Sequence, residues 1–175
     1  LGAAVIDNFL AGMGLFLFAL ERGDEKFVAQ ARERLRIGLS VCAEINLLPQ
    51  WWAYRLTINI VDDLWSSSFH SRLPLRPNEP DTEAWTDLRK RFVSVLQRRP
   101  RAEVDLWPSQ LDAASKAILQ DAALVVSLPT SAGKTRIAEL CILRCLAAGK
   151  RVVFITPLRA LSAQTETTLH KTFGP

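Results

Sequence analysis

The sequence predicts an all-α region followed by the opening part of an α/β domain built on a parallel sheet. Three observations predict it. Roughly the first 66 positions read as helices, with apolar residues recurring at three- and four-residue spacing through Asp24–Ile45. From Leu111 onward, helical patterns alternate with short apolar runs, the order that builds parallel sheets. Between one such run and the helix after it stands the turn Gly133-Lys134-Thr135. The boundaries that follow are 1–76 for a helical accessory region, 77–104 for a linker and a basic helix, and 105–175 for an incomplete α/β part.

The elements follow from local chemistry. A first helix is expected over Ala3–Leu20, apolar on most sides and therefore buried. A second, over Asp24–Ile45, carries Phe27, Val28, Ala31, Leu35, Leu39, Cys42 and Ile45 on one face. Gln50–Trp65 shows some strand-like alternation, but Pro49 suits a helix start and no turn pair interrupts the segment, so a helix is expected. Ser66–Pro80, with its serine triplet and three prolines, reads as a linker. Asp81 is the expected N-cap of a helix over Thr82–Arg98, striped by Trp85, Leu88, Phe92, Val95 and Leu96. Leu111–Leu119 and Lys134–Ala148 are helical, the latter closed by Gly149. Leu158–His170 is a last helix, and Ala122–Leu128 and Arg151–Thr156 are strands.

Bulk properties narrow the class. With 49% apolar and 23% charged residues in 175 positions, the chain is a globular protein and not a disordered one. The net charge of +4 permits an acidic partner without demanding one. The apolar run Phe9–Leu20 falls short of the roughly 20 residues a spanning helix needs, so a core helix and no membrane association are expected. Cys42, Cys141 and Cys145 have no disulfide-like pattern, which fits a reducing compartment, and their expected role is apolar packing. Leu1 in first position suggests a piece of a longer polypeptide. The cluster Arg89, Lys90, Arg91, Arg98, Arg99 and Arg101 has a helix-dipole explanation for its last members and a phosphate-contacting patch as its functional alternative.

The chemistry concentrates in Pro129-Thr130-Ser131-Ala132-Gly133-Lys134-Thr135. A triphosphate needs several donors converging on a compact charged group. A turn ahead of a helix offers backbone N–H groups and the positive end of the helix dipole. Gly133 lets the backbone come close, Lys134 reaches the β- and γ-phosphates, and the Thr135 hydroxyl is a Mg²⁺ ligand. A bare Gly-Lys-Thr triplet is weak on its own, and Leu128 stands where the strict pattern has glycine. Its position between an apolar run and a helix strengthens it.

Pro129–Thr135 resembles the first motif of superfamily 2 helicases, in particular the Ski-type DEAD/DEAH-box group. Trp107-Pro108-Ser109-Gln110 resembles that family's upstream glutamine motif, and Thr156-Pro157-Leu158-Arg159-Ala160-Leu161 the motif that touches the nucleic-acid backbone. The resemblance covers about residues 105–170 and implies a partial RecA-like P-loop domain binding ATP and Mg²⁺. It implies that Lys134 and Thr135 are catalytic, and that Gln110, Pro129, Thr130, Ser131, Ala132, Gly133, Lys134, Thr135 and Arg136 form the nucleotide site. Thr135 would hold Mg²⁺, and Pro157, Leu158 and Arg159 would contact single-stranded DNA or RNA. The Gln110 amide suits the N6/N7 edge of adenine, although a residue that opens a helix is its plainer reading. A Pro-initiated helix is likewise the plainer reading around Arg159. After Arg159 the only acid is Glu166, so the hydrolytic acidic motif is absent from these residues. The implied whole is an intracellular enzyme, cytoplasmic or nuclear, whose remaining polypeptide and a possible protein partner for the N-terminal helices are the further partners. Another P-loop NTPase or kinase, and a helical interaction module with a vestigial nucleotide site, are the alternatives.

Overall fold

A computed structural model describes residues 2–73, 82–119, 123–129, 133–157 and 159–174. The chain divides into two compact units, Leu1–Ser71 and Arg72–Pro175. Predicted features on Asp81, Thr130, Ser131, Ala132 and Leu158 lie outside the described residues.

The first unit is a layer of α1 (Gly2–Arg22), α2 (Glu25–Glu44) and α3 (Leu48–Ser67), to which the short α4 (Phe69–Arg72) contributes Phe69 and His70. Asp24 caps α2 by accepting the Lys26 N–H at 2.9 Å, which satisfies one of the donors a helix start leaves over. The α2 stripe Val28, Ala31, Leu35 and Cys42 is fully buried against Phe16 and Ala19 of α1 and Tyr54 and Val61 of α3. The Tyr54 hydroxyl, buried with its ring, donates to the Val5 carbonyl and so spends its polar end inside the core. His70 stacks on Trp65 at 6.3 Å and its Nε2 lies 2.8 Å from the Leu20 carbonyl. The segment Gln50–Trp65, whose pattern was split between strand and helix, lies wholly within α3.

One expectation for α1 changes. It buries Val5, Asn8, Gly12, Phe16, Ala19 and Leu20, but Ile6, Leu10 and Leu17 are more than 60% exposed. A three-helix layer covers one face of each helix, so an all-round apolar helix keeps an uncovered side. By length and composition α1 is also apolar enough to cross a membrane.

The second unit contains α5 (Thr82–Gln97), α6 (Pro108–Leu119), α7 (Lys134–Ala147) and α8 (Arg159–Phe173). On α5, Trp85, Phe92, Val93 and Leu96 are buried. Phe92 stacks on Phe173 of α8 at 5.7 Å. The α7 core face is Ile137, Leu140, Ile142, Leu143 and Ala147. Its C-terminus closes as expected: Gly149 has φ 66°, its N–H reaches the Leu146 carbonyl, and the Lys150 N–H reaches Cys145.

The predicted α/β class is overturned. Among the described residues there is no β-strand, and 123–128 and 151–156, the described parts of the expected strands, form no ladder. Val125, Val153 and Ile155, which a parallel sheet would enclose, are 95%, 84% and 87% exposed. Short runs of β-branched residues state only that the side chains fit a half-buried pleat; the strand itself is stabilised by neighbours that bond its backbone and cover its faces. Two short segments do not supply those neighbours.

Candidate nucleotide-binding site

The site begins at the start of α7. Gly133 is the N-cap, with φ 75° and ψ 39° in the left-handed region, where a side chain is disfavoured. A Cβ at this position would also collide with Nε2 of Gln110. The backbone conformation favours glycine, and any side chain there would also displace the Gln110 amide. The Gly133 carbonyl accepts the Arg136 N–H at 2.9 Å and the Gln110 amide at 3.2 Å.

Gln110 comes from the first turn of α6 and is 6% exposed. Its Oε1 accepts the Trp107 N–H at 2.9 Å, reaching back over the helix start as the amide arm of a capping box does. The structure thus gives this side chain a helix-opening role and, with it, a direct tie to the turn before Lys134. Trp107 itself is 56% exposed at the mouth of a cleft of about 360 Å³, whose lining includes Gln110, Gly133, Thr135, Arg136 and Glu139.

Lys134 and Thr135 are both exposed on the first turn of α7. Thr135 lines the cleft, whereas Lys134 lines a neighbouring groove with Leu124, Val126 and Phe154. The first turn of α7 carries no acid. A helix start favours negative charge, and this one presents the exposed Lys134 side chain, a cation suited to an anion. Pro129 precedes the turn. Pro157 and Arg159 are exposed at the start of α8 and line neither the cleft nor the groove, so the structure does not bring them to Gly133. The Thr156 and Ser162 hydroxyls meet at 2.5 Å across that helix start.

Arg136 is occupied differently from the expectation of a nucleotide contact. It is 8% exposed, its guanidinium donates to both Glu139 and Glu103, and it lies 5.9 Å over the Phe92 ring. Arg99 completes the cluster, bonding Glu103 at 2.9 Å, Glu139 at 3.4 Å and the Thr172 hydroxyl at 3.1 Å. The two carboxylates respond in opposite directions although they share both arginines. Burial pushes Glu139 above the usual carboxylate range despite Arg136 and Arg99. For Glu103 burial acts the same way, but hydrogen bonds and charge from Arg99 and Arg136 outweigh it and hold the group low. The difference follows from enclosure, since the side chain of Glu139 is 2% exposed and that of Glu103 39%. Sequence reasoning placed Arg99 in a basic run and overlooked this cluster. Part of the signal was present in Arg136–Glu139, three residues apart on one turn of α7; Arg99 and Glu103 lie beyond the end of α5, where helical spacing does not pair them.

Among the described residues no group of three or more His, Cys, Asp or Glu side chains is placed to hold a metal. Cys42 is buried and Cys141 half-buried, and burial pushes both thiols up, away from the reactive thiolate form.

Comparison with known proteins bears on the region that contains these residues. The DEAD/DEAH box helicase family matches residues 107–175. That stretch is similar to DEAD/DEAH box helicases. Over 61 residues, 35% of the chain, it is 46% identical to the DExH-box ATP-dependent RNA helicase DExH15 of Arabidopsis thaliana, covering 5% of that protein. Over 76 residues, 43% of the chain, it is 37% identical to the ATP-dependent DNA helicase Hel308 of Pyrococcus horikoshii, covering 10% of it. A longer match, 138 residues or 77% of the chain at 28% identity, is to the Hachiman protein HamB of Bacillus cereus, and covers 12% of that protein. The chain thus spans about a tenth or less of these relatives' lengths. The matches support a helicase-related ATP-binding region in a superfamily 2 fragment.

Proposed function

We propose that this chain supplies the ATP-binding turn and the adenine-side wall of an ATP-dependent nucleic-acid helicase or translocase, of the Ski-type group within superfamily 2. The observation that carries the reading is the left-handed Gly133 at the head of α7, followed by exposed Lys134 and Thr135 and tied to Gln110. The family that residues 107–175 match generally uses ATP with Mg²⁺.

The donor set fits that pair. Lys134 and Thr135 offer an ammonium group and a hydroxyl exposed at the surface. Lys134 would bind the β- and γ-phosphates, Thr135 would ligate Mg²⁺, and Pro129, Thr130, Ser131 and Ala132 would complete the turn. Gln110 would orient the base beside Trp107. Bound Mg²⁺ supplies charge neutralisation at the phosphates. Pro157, Leu158 and Arg159 would hold a strand phosphate of single-stranded DNA or RNA. The intact enzyme would work inside the cell, with hydrolysis completed by groups from the rest of the polypeptide.

The test is binding of a fluorescent ATP analogue to the chain, followed by ATPase assays on the whole polypeptide with and without single-stranded nucleic acid. Lys134→Ala should abolish turnover, and single strands should stimulate the unmodified protein. Turnover that survives Lys134→Ala would overturn the phosphate assignment; ATP binding without strand stimulation would overturn the helicase reading.

A further inference from the structure

We infer that Arg99 and Glu103, which lie upstream of the helicase match, are positioning residues for the phosphate-binding turn and act on it through Arg136. The inference rests on the nucleotide reading above and extends it to a segment that reading does not include.

Arg136 is the third residue of α7, directly after Lys134 and Thr135. A buried cation at a helix start opposes the positive end of the helix dipole and needs strong compensation. Glu139 provides one carboxylate from the same helix, and Glu103 provides the second from the stretch between α5 and α6. Arg99 then bridges the same two carboxylates and adds a bond to Thr172 of α8. The two arginines and two glutamates balance in charge. Their bonds span α7, α8 and the segment ahead of Trp107, so the first turn of α7 is fixed by groups on three sides.

Two consequences separate this arrangement from ordinary packing. The Arg136 guanidinium is turned onto Glu103, Glu139 and the Phe92 ring, leaving the lysine and threonine before it as the groups that face an anion. In addition, Glu103 and Arg99 line the cleft that Gly133 and Thr135 border. Any shift of Arg136 therefore moves the turn that would hold the β-phosphate, a group that AMP lacks.

The experiment measures ATP, ADP and AMP binding to the full chain by competition against a fluorescent ATP analogue, with folding checked by circular dichroism. The variants are Glu103→Gln, Arg99→Lys and, as reference, Lys134→Ala. Glu103→Gln should weaken ATP and ADP by about five- to ten-fold, the scale of one charge-assisted bond, and leave AMP binding unchanged. Arg99→Lys, which keeps the charge but loses the fork, should do the same to a lesser degree. Equal weakening of all three nucleotides would reduce the cluster to general scaffolding and overturn the inference. Tighter ATP binding in Glu103→Gln would also overturn it, because Arg136 would then be a phosphate ligand held back by Glu103. If Lys134→Ala weakens ATP while Glu103→Gln and Arg99→Lys do not, the inference alone fails. If Lys134→Ala has no effect either, the nucleotide reading beneath it fails.

Discussion

Replacing Gly133 by alanine tests the conformation on which the site depends. Its φ of 75° puts an L-residue in the left-handed region, at a cost of about 1–2 kcal/mol. The added Cβ would also strike the Gln110 amide, which must swing away and release the Gly133 carbonyl. That hydrogen bond contributes about 1 kcal/mol. The sum is a destabilisation of about 2–3 kcal/mol for the Arg72–Pro175 unit. Gly149→Ala is the internal control, because Gly149 has a φ of 66° but open space where a Cβ would sit. It should show the backbone cost alone, about 1–2 kcal/mol. Urea unfolding followed by tryptophan fluorescence measures both, and the difference between them reports the Gln110 contact. Equal losses for the two variants would refute the claim that Gln110 packs on the turn. A loss below about 0.5 kcal/mol at Gly133, the level of an ordinary surface substitution, would refute the left-handed geometry itself.

Other consequences are as definite. Gln110→Ala removes the acceptor for the Trp107 N–H and the donor to Gly133; we expect a loss of about 1–3 kcal/mol from the unmade bonds, read by thermal unfolding, and unchanged stability would contradict the capping role. Gly38→Ala in α2 drives a methyl into the Tyr54 ring; overpacking of about 1–3 kcal/mol should exceed the helix-propensity gain of about 1 kcal/mol, so a stabilised variant would mean Tyr54 is not seated there. Leu35→Ala empties a fully buried position and should cost about 2–5 kcal/mol, seen as a lower denaturant midpoint for the Leu1–Ser71 unit. Glu103, held below its ordinary value of 4.5 against the pull of burial by Arg99 and Arg136, contributes stability that is fully present above that pH and lost as pH falls through the lowered value. Glu103→Gln should flatten that acid limb in a pH-dependent unfolding series, and an identical limb in the variant would place its origin elsewhere.

Helices were legible because the information for them is local. The stripe Val28, Ala31, Leu35, Cys42 fixes the buried face of α2 through a 3.6-residue repeat, and Gly149 marks the end of α7 through its own backbone conformation. The Gly133-Lys134-Thr135 turn was legible for the same reason: glycine conformation, helix start and side-chain chemistry all lie within a few residues. Strands at 123–128 and 151–156 were not decided by their own residues, since a strand exists only through neighbours that complete its hydrogen bonds and bury its side chains. Nor did the apolar character of α1 fix which of its sides is covered; that depended on where α2 and α3 lie.

Sequence by itself determined the longer helices and the Gly149 close of α7, because each is specified within a helical turn or the residues next to it, whereas the short α4 formed inside the expected Ser66–Pro80 linker. Tertiary structure alone decided that Gln110 bonds to Gly133, that Arg136 is held by Glu103 and Glu139, and that Arg99 belongs to the same cluster. Those pairings join residues up to 40 positions apart, and a charged side chain carries no record of its distant partner. Only the folded chain brings the groups close enough, in surroundings poor enough in water, for their charges to select one another.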